Sequence, residues 1–512
     1  MSEVRTRICL WRVLLLLGVC SAVVLAGSTG VAGLVHSRRA VPPATFSSYV
    51  DVTATPAYPF ETPRYQEQQA VVLSFVVADR TNACRPSWGG YYSLDEAAGA
   101  LELDRRVAQL RSTGGHVAVS FGGQRNDELA VACHSARDLR SAYQQVIDRY
   151  QLDTIDLDVE GAELTDEAAA ARRATAIAAA QAAQKARHKA LAVWLTLPVT
   201  PNGLTTEGTV QVSTLRSAGV ELAGVNAMAM DFGGARQAGQ SLLQAVQSSG
   251  AAMIDQVSAL YPRTSRPSGP QHVGLTVMIG QNDVTDERFT IDDARALNTW
   301  ARTTGVGRLS MWSLNRDATC AYPLPVTLTV VQTGCSGVDQ KGLSFASELG
   351  KDLAAVAQAS ATPRLSPTPS ASASQPHPDV TDDPATSPDP IWDPLGQYPG
   401  GTKVVWRHQV WRAAFWTSGE APGSTVHPSG ADPWVLLGPV LPGDRPGPLP
   451  SLAAGTYPQW NPTTAYVSGA RVQLGLVPYE AKWWSRGQKP ATVVAGGNPW
   501  VLVNPPAPGS VQ

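Results

Sequence analysis

Apolar positions in the first two-thirds of the chain form short β-rich runs that alternate with longer stretches of helical character. The eight runs are residues 48–53, 71–77, 116–121, 154–159, 191–197, 225–230, 272–279 and 308–314. The helical stretches between them include residues 95–111, 136–150, 166–189 and 291–304. This alternation predicts an α/β fold, a (β/α)8 TIM barrel over residues 45–358, with a doubly wound open sheet as the alternative. Polar residues at the C-terminal ends of several different strands favour the barrel.

A composition break follows the predicted barrel. Residues 359–390 consist mainly of Pro, Ser, Thr, Ala and Asp, with almost no large apolar side chain. Such a segment buries too little surface to offset its ordering entropy, so it is predicted to be an extended linker.

An internal repeat follows the linker, in a region that holds nine of the 14 tryptophans. The offset that takes Trp392 to Trp460 also aligns Tyr398 with Tyr466, Trp411 with Tyr479, Phe415 with Trp483 and Trp416 with Trp484. A constant offset of this kind predicts two copies of one small all-β module, over residues 391–440 and 456–505.

The N-terminus has the pattern of an export segment. Three arginines precede a nearly unbroken apolar run over residues 13–26. This pattern predicts a signal peptide, or alternatively a membrane anchor, within residues 1–35, and the rest of the chain would then be secreted.

Cysteine usage agrees with export. Two of the six cysteines lie in the export segment, which leaves Cys84, Cys133, Cys320 and Cys335. Two disulfides with three possible connectivities are expected. A short loop between Cys320 and Cys335 favours that pair, with Cys84 and Cys133 as the complement. Metal binding is the competing interpretation, but neither a Cys-x-x-Cys motif nor clustered histidines support it, so no metal and no cofactor are expected.

The overall charge is small. Charged residues make up 16% of the chain and the formal net charge is -2. A nucleic-acid partner is therefore not expected, and an uncharged partner is favoured. The expected state is a monomer.

The fourth apolar run carries three acidic residues, Asp156, Asp158 and Glu160. Their spacing places all three on one face of a strand, which in a barrel strand is the interior. Like-charge repulsion and burial must raise at least one pKa in such a cluster. A carboxylic acid that stays protonated near neutral pH can protonate a glycosidic oxygen. A solvated acidic loop and a cation site are the alternatives.

Four motifs in the correct order resemble those of glycoside hydrolase family 18. Residues 153–160 resemble its D-G-x-D-x-D-x-E signature, with Thr154 in place of the glycine. Residues 120–123 resemble its S-x-G-G motif, residues 226–232 its motif on the sixth strand, and residues 311–317 its last strand.

The resemblance implies a substrate-assisted, retaining hydrolysis of a polymer of N-acetylglucosamine such as chitin. Glu160 would act first as acid and then as base. Asp158 would hold the acetamido N–H, Asp156 would tune Asp158, and Asp231 would position the acetamido group. Trp312 would form the floor of the sugar subsite.

Several further residues are predicted to bind substrate. Met230 stands where many members of the family have a tyrosine, and methionine cannot donate that hydrogen bond. The other predicted substrate-binding residues are Met228, Ser120, Gly122, Trp88 and Gln281. Packing is the alternative for Met228, capping of the barrel for Trp88 and loop solvation for Gln281.

The second repeat resembles chitin-binding modules of families 5 and 12. Residues 479–490 match the pattern Y-x-A-x-W-W-x-x-G-x-x-P, and the first repeat matches it more loosely. Aromatic rings can stack on sugar rings, although some of these aromatics must form the core of so small a module. The candidate aromatics are Trp460, Tyr479, Trp483, Trp392 and Trp411.

Two other functions stay open at this stage. One is an endo-β-N-acetylglucosaminidase that acts on N-glycans or cell-wall sugars. The other is a non-catalytic chitin-binding lectin, which only Met230 favours.

Overall fold

The computed structural model describes residues 44–260, 269–354, 356, 381–424, 430–447, 451–490 and 499–503. The predicted export segment and most of the predicted linker lie outside these residues. Among the described residues, no helix combines the length and the apolar character needed to cross a bilayer.

Eight parallel strands close into a barrel. They are β1 (Thr45–Asp51), β2 (Ala70–Ala78), β3 (His116–Gly122), β4 (Thr154–Asp158), β5 (Ala192–Thr200), β6 (Leu222–Met228), β7 (Val273–Met278) and β8 (Arg308–Trp312). Each strand pairs with its neighbours in chain order, and β1 pairs with both β2 and β8. The predicted TIM barrel is confirmed, and the closure excludes the open sheet.

Helices cover the outside of the barrel. Those longer than one turn are α1 (Leu94–Ala100), α2 (Leu103–Ser112), α3 (Ala136–Arg149), α4 (Glu167–Ala186), α5 (Thr206–Ser217), α6 (Leu242–Leu260), α7 (Ile291–Thr304) and α8 (Phe345–Gly350). The helix predicted over residues 95–111 is two helices, because Glu102 between them has a left-handed backbone with φ of 52°.

Side-chain alternation along the strands separates an apolar outer layer from a polar interior. On β4, Ile155 and Leu157 join the main core under the helices, whereas Asp156 contacts other polar side chains inside the barrel. On β8, Leu309 and Met311 join the same outer core. The helices are therefore held by apolar packing, and the barrel interior is left free for polar chemistry.

Two disulfides connect loops of the barrel. Cys84 pairs with Cys133, and Cys320 pairs with Cys335. These are the two pairs that the sequence favours, so that prediction is confirmed.

Each C-terminal repeat folds around a small antiparallel sheet of three strands. The first contains β9 (Lys403–Trp406), β10 (Gln409–Ala413) and β11 (Trp434–Pro439), and the second contains β12 (Arg471–Leu474), β13 (Val477–Ala481) and β14 (Trp500–Leu502). In both sheets the second strand along the chain, β10 or β13, lies in the middle and pairs with the other two strands. The shared topology is the structural counterpart of the sequence repeat.

The first repeat packs against helix α2 of the barrel. Arg105 Nη1 donates to the Pro439 carbonyl at 2.6 Å and to Asp444 Oδ2 at 3.0 Å. Lys403 pairs with Glu102 at the start of the same helix. Part of the predicted linker also binds this repeat, because Asp382 accepts hydrogen bonds from the backbone N–H groups of residues 407 and 408.

Candidate active site

Strand β4 brings the three predicted carboxylates to the open end of the barrel. Asp156 and Asp158 are buried on the strand, and Glu160 lies two residues beyond its last residue. A turn of 3-10 helix, Gly161–Thr165, begins directly after Glu160. The carboxylates therefore follow a gradient from the buried interior to the accessible rim.

Asp156 lies within a network of hydroxyl donors. Its Oδ2 accepts from the Tyr49 hydroxyl at 2.9 Å and from Ser120 Oγ at 2.8 Å, and its Oδ1 accepts from Thr196 Oγ1 at 2.6 Å. Asn226 donates to Thr196 at 3.1 Å and extends the network. These hydrogen bonds fix the orientation of the Asp156 carboxyl group.

Asp158 has the opposite environment. Its Oδ1 is buried and makes no hydrogen bond to any described residue. Burial raises the pKa of Asp158 well above its ordinary value, and the negative charges of Glu160 and Asp156 raise it further. Both effects favour the protonated form of Asp158.

Glu160 has the protonation behaviour of a general acid. Burial raises the pKa of Glu160 to about 7. A carboxylic acid with a pKa near the working pH is both protonated often enough to donate and acidic enough to transfer its proton.

The raised pKa of Glu160 predicts the alkaline limb of the pH profile. Because the acid must be protonated, kcat/KM is expected to fall as the pH rises through about 7. The measurement is kcat/KM on a soluble oligomer of N-acetylglucosamine from about pH 5 to about pH 9. Activity that stays constant up to the top of this range would contradict the assignment of Glu160.

A fourth carboxyl group near the site was not predicted from the sequence. Burial raises the pKa of Glu163 to about 8, and the charge of Glu128 adds to this effect. Glu163 Oε1 accepts from the backbone N–H of Glu128 at 3.3 Å. Glu128 is itself buried and bound by Arg173 and by the Tyr143 hydroxyl. The signal in the sequence is the spacing of Glu163, one helical turn after Glu160.

The predicted S-x-G-G motif supports the carboxylates instead of the substrate. Ser120 is fully buried and its hydroxyl is bound to Asp156, so its assignment to substrate binding is wrong. Gly122 has φ of 105°, and a Cβ there would lie 2.0 Å from the carbonyl oxygen of Asp158. The N–H of Gly123 donates to the same carbonyl at 3.1 Å. The two glycines therefore allow β3 to approach the end of β4.

The remaining motif residues lie at the C-terminal ends of β6 and β8. The Trp312 ring is half-buried and stacks on Phe75 with 5.3 Å between ring centroids. Met228 and Met230 are also half-buried. Asp231 Oδ1 accepts from the backbone N–H of Val284 at 2.9 Å, and burial raises the pKa of Asp231. All four predicted residues keep part of their surface accessible at this end of the barrel.

Two further predicted substrate contacts, Trp88 and Gln281, are also wrong. The Trp88 side chain is completely buried in the outer core, and its indole N–H donates to the Tyr150 hydroxyl at 3.0 Å. Gln281 is also completely buried, its amide bonds the carbonyls of its own loop, and its oxygen accepts from Arg288. The polar atoms of both side chains are hydrogen-bonded within the protein, so neither side chain is available to a ligand.

The accessible aromatics of the repeats differ from those predicted. Tyr479 and Trp392 are buried in the cores of their repeats. Half-buried rings are Trp460, Trp411 and Trp483. Trp416 and Trp484 are 60% and 61% exposed, and they occupy equivalent positions in the two repeats.

Comparison with known proteins gives matches to chitinases. The chain is 34% identical over 287 residues to a probable bifunctional chitinase/lysozyme of Escherichia coli (strain K12), covering 55% of this chain and 32% of that protein. It is 32% identical over 302 residues to Endochitinase 11 of Metarhizium anisopliae, covering 58% of this chain and 55% of that protein. The chain thus spans a third to about half of the length of these relatives. No protein-family profile matches the chain.

A solved structure shares the barrel. The catalytic domain of a hyperthermophilic chitinase from Pyrococcus furiosus superposes with a TM-score of 0.50 and 25% identity, over 60% of this chain and 93% of that domain. In sequence and in fold the barrel is thus similar to chitinases, which supports the resemblance of its four motifs to glycoside hydrolase family 18.

Proposed function

We propose that the chain is a chitinase of glycoside hydrolase family 18 that cleaves β-1,4 linkages between N-acetylglucosamine residues. The observation that carries the proposal is the β4 carboxylate series, in which burial raises the pKa of Asp158 well above its ordinary value and raises the pKa of Glu160 to about 7. The similarity to chitinases in sequence and fold supports the same activity.

The protonation states support a substrate-assisted mechanism. A carboxylate that attacks the anomeric carbon must be ionised, and burial raises the pKa of Asp158 and so disfavours its ionised form. Family 18 enzymes are exceptions to the two-carboxylate scheme, because the acetamido oxygen of the substrate acts as the nucleophile. Glu160 would protonate the leaving oxygen and then deprotonate water. Asp158 would contact the acetamido group, with Asp231 at the same end of the barrel.

Substrate chemistry tests this proposal directly. The chain should hydrolyse oligomers of N-acetylglucosamine with retention of the β-anomer. Proton NMR of the first product measures its anomeric configuration. Oligomers of glucosamine, which lack the acetyl group, should not be cleaved. Cleavage of both at similar rates would reject substrate assistance, and release of fragments from peptidoglycan without turnover of chitin oligomers would reject the chitinase assignment.

We further propose that the C-terminal repeats bind chitin through Trp416 and Trp484. An exposed indole offers a flat apolar face to the C–H face of a sugar ring. Two such faces on one chain raise the apparent affinity for a polymer without any new contact. The Trp-rich motif that the repeats share supports this role.

Substitution of Trp416 or Trp484 by alanine is expected to weaken binding to insoluble chitin roughly tenfold, and the double substitution should weaken it further. Turnover of soluble oligomers should not change, because neither ring belongs to the barrel. The measurement is a pull-down isotherm on chitin. The control is Tyr322→Ala, which removes a 96% exposed ring from the barrel part of the chain. Equal losses for the control and the tryptophan variants would contradict the proposed role.

Export is the proposed localisation. The four cysteines that follow the predicted export segment form two disulfides, which persist in oxidising compartments. An insoluble extracellular polymer is also a substrate that only an exported enzyme can reach.

A further inference from the structure

A buried polar network lies behind the turn that follows Glu160. Arg173 on α4 and Gln211 on α5 are almost completely buried, and so is Glu128 in the loop after β3. Arg173 forms a bidentate ion pair with Glu128, from Nε to Oε1 at 3.2 Å and from Nη2 to Oε2 at 2.9 Å. The Tyr143 hydroxyl donates to the same carboxylate at 3.1 Å. The attraction within a buried ion pair does little more than offset the cost of desolvating its two charges, so stability alone does not account for this network.

The side chain of Gln211 connects this network to the turn. Arg173 Nη1 donates to Gln211 Oε1 at 3.1 Å, and because a guanidinium carries only donors, the amide oxygen must face it. The amide nitrogen therefore faces the turn Gly161–Thr165, where it donates to the Leu164 carbonyl at 2.8 Å and to the Glu163 carbonyl at 3.4 Å. Arg173 thus determines which end of the amide reaches the turn.

The turn depends on such bonds because all five of its residues remain at least partly exposed. Apolar burial alone therefore does not fix its position. A second bond comes from the loop after β3, where the backbone N–H of Glu128 donates to Glu163 Oε1 at 3.3 Å. Inside the turn, the backbone N–H of Glu163 donates to the Glu160 carbonyl at 3.3 Å. The backbone of Glu160 is thus bound to a turn that Gln211 and Glu128 hold from outside.

We propose that Gln211, oriented by Arg173, is a positioning residue that fixes the turn after β4 and with it the place of the Glu160 carboxyl group at the end of the barrel. The inference deepens the proposed function and rests on it for its kinetic consequence. A general acid must lie within hydrogen-bond reach of the leaving oxygen, and a displacement of about 1 Å can cost roughly a hundredfold in rate. Gln211 is buried beneath the turn, where substrate cannot reach it, so its loss should lower kcat while KM stays nearly constant.

Two substitutions of Gln211 remove the bond to the turn in different ways. Gln211→Glu keeps the shape of the side chain and the acceptor for Arg173, but it places an oxygen against the carbonyls of the turn. Gln211→Met removes the donor without adding a charge. Each variant should lower kcat on a soluble oligomer of N-acetylglucosamine roughly tenfold to a hundredfold, with KM within about twofold of the wild type. The measurement is steady-state hydrolysis over a range of oligomer concentrations.

Arg173→Lys tests whether the arginine acts through Gln211. Lysine can keep the ion pair with Glu128 but lacks the planar fork that also reaches Gln211. This variant should lower kcat by a similar factor, and its combination with Gln211→Met should lower kcat no further than Gln211→Met does alone. Losses that multiply would show that the two residues act independently, and would overturn the inference.

The matched control is Gln181→Glu, at the opposite end of the barrel. Gln181 also lies on α4, and its amide nitrogen donates to the backbone carbonyls of Leu191 at 3.0 Å and Glu221 at 2.9 Å, which directly precede β5 and β6. The control should lower the midpoint of thermal unfolding and keep the wild-type kcat. An equal loss of kcat in the control, or wild-type kcat in a folded Gln211 variant, would overturn the inference. Failure of both Gln211 variants to fold would overturn it as well, because the role would then be purely structural.

Hydrogen exchange followed by mass spectrometry gives a readout that does not depend on activity. Peptides that cover residues 161–166 should exchange faster in Gln211→Met than in the wild type, whereas peptides from β5 and β6 should not change. An unchanged exchange rate in the turn would overturn the inference even if no substrate were turned over. An inactive wild type, together with faster exchange of the turn in the variant, would overturn the proposed function and support the positioning of the turn by Gln211.

Discussion

Substitution of Glu160 by glutamine is expected to lower kcat on oligomers of N-acetylglucosamine by roughly 10²- to 10⁴-fold. Glutamine has nearly the same shape but cannot donate the proton that the leaving oxygen requires. Burial raises the pKa of Glu160 to about 7, which suits a group that must donate a proton near neutral pH. The measurement is initial-rate hydrolysis of a soluble oligomer, with KM determined separately.

The control for this substitution is Glu167→Gln, an exposed glutamate at the start of α4. Its kcat should equal that of the wild type. Binding of the Glu160→Gln variant to insoluble chitin should also be unchanged, because the exposed tryptophans lie in the repeats. Wild-type turnover by Glu160→Gln would remove the basis of the proposed mechanism, whereas loss of chitin binding would indicate that the variant is misfolded.

The barrel could be predicted from the sequence because its strands are buried on their outer faces. Each strand reads as an apolar run, and the helices between the runs leave few other topologies. The break between α1 and α2 could not be predicted, because the left-handed backbone of Glu102 leaves no composition signal. The observed strand ends also differ from the predicted ones by a few residues. At β1, for example, hydrogen bonding with β2 and β8 sets the limits of the strand.

The β4 carboxylate series could be predicted from its spacing, but the residues that contact Asp156 could not. Tyr49, Thr196, Asn226 and Arg308 all lie within predicted apolar runs, and only the closed barrel shows that they converge on one point. A polar residue inside an apolar run was the available signal. It does not tell which other strand supplies the partner.

Exposure of aromatic residues was the least predictable property. Trp88 belongs to a short strand, Pro86–Trp88, whose antiparallel pairing with β2 directs the indole into the core. In the second repeat, Tyr479 lies in the middle of β13 and packs inward, whereas Trp484 follows the strand and points outward. A motif aligns such residues, but the register of the sheet decides which ring meets solvent.

A second large effect is expected at Gly122, where β3 passes close to the end of β4. Gly122→Ala should lower the free energy of unfolding by about 3 kcal/mol or more, because it combines a disfavoured positive φ with a steric clash. The added Cβ would lie 2.0 Å from the Asp158 carbonyl oxygen, so β3 and β4 must separate where β4 leads into Glu160. We therefore expect kcat to fall as well, even in the fraction of the protein that folds. Thermal unfolding and oligomer hydrolysis measure the two effects.

Gly114→Ala isolates the clash from the backbone penalty. Gly114 also has a positive φ, of 89°, but a Cβ there would meet no atom within 4 Å. This variant should lose only about 1–2 kcal/mol, the cost of a left-handed backbone, and should keep the wild-type kcat. Equal unfolding midpoints for the two variants would show that strand separation costs little at Gly122. If instead Gly122→Ala alone loses activity, the spacing between β3 and β4 is what holds the carboxylate series in its working geometry.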